Sequence, residues 1–216
     1  MTTLDSLAIK YKTDKSSLFH DYCNEYEFFL KKYKDSPITF LEIGVWDGRS
    51  IKMWLEYFSL AKIIGIDVYN GCPDLKHERY SFIEGNQTDE NVFKNISNID
   101  IAIDDGSHRG IDQKQTFEIL FPKLNSGGIY IVEDVCTSYW KQFGNYNFID
   151  YSKQHIDCVN FDGVYNEVKT EMETEHISIA RASKYLTETL KNRNITRTFP
   201  VRSIYYGNSF IIFFKQ

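Results

Sequence analysis

The chain has 216 residues, 42% of them hydrophobic, which suits one compact α/β unit with its own core. A formal net charge of -5 speaks against nucleic acid as a partner, because a nucleic-acid binder shows a basic face. No apolar run approaches the ~20 residues of a membrane span, and the polar stretch Met1 to Lys15 does not read as a signal peptide. Cys23, Cys72, Cys136 and Cys158 show neither a C-x-x-C pair nor zinc-ligand spacing, so the expectation is reduced thiols in a cytoplasmic protein.

In chain order, Leu18, Tyr22, Tyr26, Phe29 and Leu30 recur at helical spacing and predict an amphipathic helix over Ser16 to Lys32. Asp35-Ser36-Pro37 breaks it, and the first 37 residues read as a helical cap. Strands and helices then alternate. Strands are predicted at Ile38 to Ile43, Lys62 to Asp67, Tyr80 to Glu84, Ile99 to Asp104 and Ile129 to Glu133, the last after a Ser126-Gly127-Gly128 turn. Helices are predicted at Ser50 to Phe58 and Ile111 to Leu120. Apolar strands alternating with helices imply a Rossmann-like, doubly wound, mostly parallel sheet covered on both faces.

Beyond Asp134 the rhythm changes. The polar, aromatic stretch from Val135 to about Gly163 reads as a lid or substrate loop, and Val164 to Arg193 reads as helical. Val201 to Tyr206 and Ser209 to Lys215 flank Gly207-Asn208, the pattern of a β-hairpin.

Two constellations carry chemistry. The first is Leu41-Glu42-Ile43-Gly44-Val45-Trp46-Asp47-Gly48-Arg49-Ser50, where the first strand meets the first helix of the alternation. Gly44 allows close backbone approach, and the helix start at Gly48 and Ser50 offers free N–H groups to an anion. Asp67 ends the next strand, where an acid can accept both hydroxyls of a ribose. Such a cradle suits an adenosine-type cofactor, and the Gly44-x-x-x-Gly48 spacing fits a dinucleotide pyrophosphate poorly. Asn86 and Gln87 follow the third strand of the alternation, where their amides can read an adenine edge or simply make a turn.

The second is Asp104-Asp105-Gly106-Ser107-His108 after the fourth strand and Glu133-Asp134 after the fifth. Neighbouring parallel strands bring these ends together. Crowded carboxylates repel one another unless a cation or a cationic ligand shares the site. An all-oxygen set suits Mg2+ or a similar hard ion. Asp105, Glu133 and Asp134 are assigned to the metal, and Asp104 to the cofactor because adjacent strand residues point opposite ways. His108 is the candidate base: a histidine beside a cation can take the proton of a hydroxyl that the cation acidifies. The competing reading of the acids is helix capping and an ordinary solvated loop.

Leu-Glu-Ile-Gly at 41–44, Asp-Asp-Gly-Ser-His at 104–108, Glu-Asp-Val at 133–135 and the following Thr137-Ser138-Tyr139-Trp140 resemble the metal-dependent sugar O-methyltransferases, which include macrolide-sugar and rhamnosyl O-methyltransferases. Tyr11 to Lys15 and the C-terminal strands fit the same pattern. The resemblance implies a single S-adenosylmethionine-dependent methyltransferase domain over 1–216. Its sheet would have seven strands with the last antiparallel. Asp105, Glu133 and Asp134 would hold Mg2+, with His108 as base. Thr13 and Lys15 would cover the methionine end of the cofactor, although the same segment could be a plain helix cap. Tyr139 and Trp140 would face a sugar of a glycoside or glycan. Cys136 stands where the family more often has histidine. The macrolide enzymes carry an extra N-terminal domain used in assembly, for which this length leaves no room, so homo-oligomer formation is left open. Against this reading stand a catechol-type vicinal-diol O-methyltransferase, an NAD-dependent oxidoreductase and a non-catalytic cofactor-binding module.

Overall fold

The computed structural model describes residues 2–160 and 199–216, together with isolated helical positions between 166 and 191. The predicted helix at Val164 to Arg193 therefore lies largely outside the described residues, as does the far end of the predicted lid.

Seven strands form one sheet in the order β3-β2-β1-β4-β5-β7-β6. They are β1 (Thr39–Ile43), β2 (Lys62–Asp67), β3 (Tyr80–Glu84), β4 (Ile99–Asp104), β5 (Leu124–Val132), β6 (Val201–Tyr206) and β7 (Ile211–Lys215). β1 to β5 pair in parallel, and β7 runs antiparallel to both β5 and β6. The α-helices with described bounds are α1 (Leu4–Tyr11), α2 (Tyr22–Leu30), α3 (Arg49–Tyr57), α4 (Gly110–Leu120), α5 (Phe148–Lys153) and α6 (Ile156–Val159).

Period-two alternation divides the strand residues between two buried layers. Phe40, Ile63, Ile101, Ile129 and Ile212 pack toward α1, α2 and α3. Their neighbours Leu41, Ile64, Ala102, Tyr130 and Phe213 pack toward α4, α5 and the aromatic pair Phe117 and Phe121. Both faces are covered, which is why the central strands read as continuous apolar runs. Among the described residues no helix is long and apolar enough to cross a membrane.

Four differences from the sequence reading stand out. The helix predicted from Ser16 begins only at Tyr22, because Asp21 takes a left-handed φ of 58° and residues 16–20 form turns. α1 is an additional helix, capped by the Thr3 side chain accepting from Ser6 N–H. β5 starts at Leu124 and absorbs the Ser126-Gly127-Gly128 segment, with a register shift against β4 between Ile99 and Ile101. The C-terminal hairpin also closes through a longer loop than two residues, since Gly207 N–H donates to Phe210 C=O.

One buried group has a consequence for stability. His155 is 4% exposed and packs against Phe117, Tyr151, Phe199 and Phe213. Its Nε2 has no hydrogen-bond partner among the described residues. Burial drives its pKa down to about 4, against a weaker upward pull from Glu118. The unfolded chain takes up this proton near 6.5 and the native state only near 4, so between those values the unfolded state binds more protons. Stability is therefore lost as pH falls through that window, by at most about 1.4 kcal/mol per pH unit from this group. Urea unfolding from pH 6.5 to 4.5 should show a shallower loss in His155→Phe than in the native sequence; parallel curves would contradict this.

Candidate active site

β1 lies between β2 and β4, and the chain leaves it in opposite directions along the sheet. Such a switch point opens a crevice at the carboxyl ends of the strands. Ile43 stands in register with Ile66 and with Asp104, and Asp104 with Val132, so the residues that follow these strands share one edge.

Gly44 closes the β1 turn with φ 85°, and a Cβ there would lie 1.9 Å from the Asp105 carbonyl oxygen. Only glycine lets the two strand ends meet this closely. Two cavities share Gly44. The smaller, about 50 Å3, is lined by Thr13, Lys15, Trp46, Arg49, Ser50 and Asp105 among others. The larger, about 170 Å3, is lined by Asp67, Val68, Gly85, Asn86, Gln87, Gly106 and Ser107 among others. Asp67 Oδ2 accepts from Trp46 N–H at 2.9 Å, which ties the β1 turn to the end of β2.

Several expected cofactor residues are supports for this crevice. Asp104 is fully buried and lines neither cavity. It does point away from Asp105, but into the core, where it accepts from Gln87 Nε2 at 3.0 Å and Tyr130 OH at 3.3 Å. Burial raises its pKa to about 7. Gln87 spends its amide on Asp104, Thr116 and Ser107 N–H. Asn86 Oδ1 accepts from Thr88. Ser50 donates to Glu42 Oε2 at 2.7 Å, and Thr13 Oγ1 accepts from Lys15 N–H at 3.1 Å.

Asp105, Glu133 and Asp134 gather at this edge around a cation, Lys15, that the sequence reading placed elsewhere. Lys15, 1% exposed, reaches from the wall of the smaller cavity into the carboxylates. Its Nζ lies 2.5 Å from Asp105 Oδ2, 2.6 Å from Glu133 Oε2 and 3.9 Å from Glu42 Oε1. Burial disfavours its charge, but Asp105, Glu133 and Glu42 together hold its pKa well above the usual lysine value. Burial raises the carboxyls in turn: Glu42 to about 7, Glu133 well above its ordinary value, and Asp105 upward against the pull of Lys15 and His108. Glu133 faces inward, its second oxygen accepting from Tyr26 OH at 3.1 Å. Asp134 is aimed by Tyr22 OH, which donates to its Oδ1 at 2.6 Å.

At the same edge, Asp105, His108 and Asp134 each present an atom within 4.8 Å of the others. His108 Nδ1 lies 4.0 Å from Asp105 Oδ1, and Nε2 lies 3.7 Å from Asp134 Oδ2. The buried Nδ1 has no hydrogen-bond partner among the described residues. His108 and Asp134 hold left-handed φ of 56° and 53°, a conformation costing an L-residue roughly 1–2 kcal/mol. Such strain is most readily maintained where a site requires it. Tyr139 and Trp140 are exposed at 70% and 48%. Among the described residues His108 has a ring contact with Phe143, 6.4 Å between centroids, and Phe143 lies 5.9 Å from Trp140.

No protein-family model matches this chain. Among curated proteins it is similar to mycinamicin VI 2''-O-methyltransferase of Micromonospora griseorubida, 33% identical over 152 residues that make up 65% of this chain and 38% of that protein. It is 35% identical over 151 residues to 8-demethyl-8-alpha-L-rhamnosyl tetracenomycin-C 2'-O-methyltransferase of Streptomyces olivaceus, covering 65% of this chain and 39% of that protein. The similarity is thus to O-methyltransferases, over about two thirds of this chain. The chain spans well under half the length of these curated relatives. The fold agrees: the MycE methyltransferase of the mycinamycin pathway, solved with Mg, SAH and mycinamycin VI, superposes with a TM-score of 0.76 at 22% identity. That superposition covers 99% of this chain and 54% of the other.

Within this relationship, the residues that sequence reasoning missed are the ones acting from behind. Glu42 has a visible signal, a charged residue inside the apolar strand Thr39–Ile43. Tyr22 and Tyr26 read as helix-face aromatics, and only their hydroxyls reveal the contact with Asp134 and Glu133. Phe143 has no signal beyond its place in an aromatic stretch.

Proposed function

We propose that this chain transfers a methyl group from S-adenosylmethionine to a sugar hydroxyl, with the help of Mg2+ or a similar divalent cation. The observation that carries the reading is the convergence of Asp105, His108 and Asp134 within 4.8 Å beside the Gly44 crevice. The donor set fits a hard cation. Lys15 contacts Glu42, Asp105 and Glu133, and among the described residues the only ion-pair partner of Asp134 is His108. Asp105 and Asp134 are the carboxylates presented to such an ion, with Glu133 behind them. The crevice fits an adenosine ligand, with Asp67 at one end and the α3 N-terminus at the other.

When bound, the cation would acidify the hydroxyl it touches and S-adenosylmethionine would supply the electrophilic methyl. His108 accepts the proton of the reacting hydroxyl, and Asp134, 3.7 Å from Nε2, stabilises the imidazolium that results. Trp140 and Phe143 form an apolar wall beside His108 against which the C–H face of a sugar can lie, excluding water. The net charge of -5 disfavours a polyanionic acceptor such as nucleic acid. The names of the curated relatives, which methylate sugars on macrolide or tetracenomycin scaffolds, support a glycoside acceptor.

Transfer of labelled methyl into a panel of glycosides, with a catechol as comparison, tests this. Label should enter a glycoside, fall to background with a chelator and return with Mg2+. Undiminished transfer under chelation, transfer to the catechol alone, or thermal stabilisation by NAD and not by S-adenosylhomocysteine would contradict it.

A further inference from the structure

His108 and Asp134 come from different strand ends, yet one side chain touches both backbones. Thr137, 3% exposed, places its Oγ1 2.6 Å from the His108 carbonyl oxygen and 2.7 Å from the Asp134 carbonyl oxygen. A threonine hydroxyl has one proton, so the two carbonyls share it. The same residue's N–H donates to the Asp134 carbonyl at 3.0 Å. Both carbonyls belong to residues held at left-handed φ. A hydroxyl bound to both fixes their peptide planes relative to one another, and with them the 3.7 Å gap between the imidazole and Asp134.

We infer that Thr137 is the positioning residue of this site, a single hydroxyl that locks the base-bearing loop after β4 to the acid-bearing loop after β5. It lines neither of the two cavities that share Gly44. The inference rests on the proposed cation-and-base reading for its functional meaning, but the lock itself can be tested apart from it.

Thr137→Val keeps the shape and removes the proton, while Thr137→Ser keeps the hydroxyl. Mn2+ alone is the probe, its affinity measured by calorimetry on the protein without acceptor. Supports behind metal ligands typically change affinity by about 10- to 100-fold. The valine variant should bind Mn2+ at least about tenfold more weakly, and the serine variant within about twofold of the native protein. Amide exchange at residues 106–110, far from the substitution in sequence, should speed up in the valine variant and recover in the serine variant. Affinity for S-adenosylhomocysteine should stay unchanged in both. A native protein that binds no Mn2+ removes the cation reading, and the exchange comparison then decides the lock alone. Unchanged exchange at 106–110 in Thr137→Val, or faster exchange spread over the whole chain, overturns the inference.

Discussion

His108→Asn should lower methyl transfer by about 10^2- to 10^4-fold, the range a positioned general base contributes, while S-adenosylhomocysteine binds within about twofold of the native protein. Asparagine is the better variant than alanine, because residue 108 sits at φ 56°, and asparagine tolerates the left-handed region. A fall seen only with alanine would therefore report backbone strain. The loss should appear in kcat, since His108 acts on a proton already at the site and touches no part of the Gly44 crevice described above. Turnover in His108→Asn close to the native rate would remove histidine as the base and leave Asp105 or Asp134 to be considered. Asp134→Asn should be milder, because Tyr22 OH can still hold the amide oxygen.

Lys15→Met should be the most damaging substitution for stability. It removes a 1% exposed ammonium from contact with Asp105 and Glu133 and from the vicinity of Glu42. Breaking a buried ion pair by deleting one partner costs about 3–5 kcal/mol, because the remaining charge stays buried. The cost depends on pH, with a definite sign. Burial already raises the pKa of Glu42 to about 7 and that of Glu133 well above normal, and losing Lys15 removes the main opposing charge. Groups whose native pKa lies above the unfolded value stabilise at low pH and lose that contribution as pH rises through the native pKa. The deficit of the variant against the native protein should thus be largest near pH 8 and shrink toward pH 5. Chemical unfolding at both values measures it. A deficit under about 1 kcal/mol, or one independent of pH, would show that the ammonium does not hold the cluster together.

Much of this protein is legible in its sequence where the signal is local. β2, β3 and β4 begin and end where the apolar runs do, at Lys62–Asp67, Tyr80–Glu84 and Ile99–Asp104. The convergence of Asp105, Glu133 and Asp134 with His108 follows from parallel neighbours sharing an edge, and the sheet order supplies it. What escapes the sequence is long-range and directional. Lys15 is 90 residues from Asp105 and 118 from Glu133, so nothing in its neighbourhood announces the contact. The turns at residues 16–20 that delay α2 lie beside this buried lysine, and the helical spacing of Leu18 misleads there because Leu18 and Phe19 are exposed. The direction of Asp104 escapes the sequence for a related reason. Alternation states that it opposes Asp105, but whether the opposite side is crevice or core depends on Gln87, Thr116 and Tyr130. Crowded acids call for a positive partner. The structure provides one in Lys15, while Asp105, His108 and Asp134 stay half-buried beside it.

The most direct test is a crystal structure with S-adenosylhomocysteine and Mn2+, using the anomalous signal to locate the ion. The account predicts one peak within coordination distance of Asp105 and Asp134 beside His108, with the thioether sulfur directed toward it from the Gly44 crevice. An ion bound elsewhere, or a nucleoside seated away from Gly44 and Asp67, would contradict it.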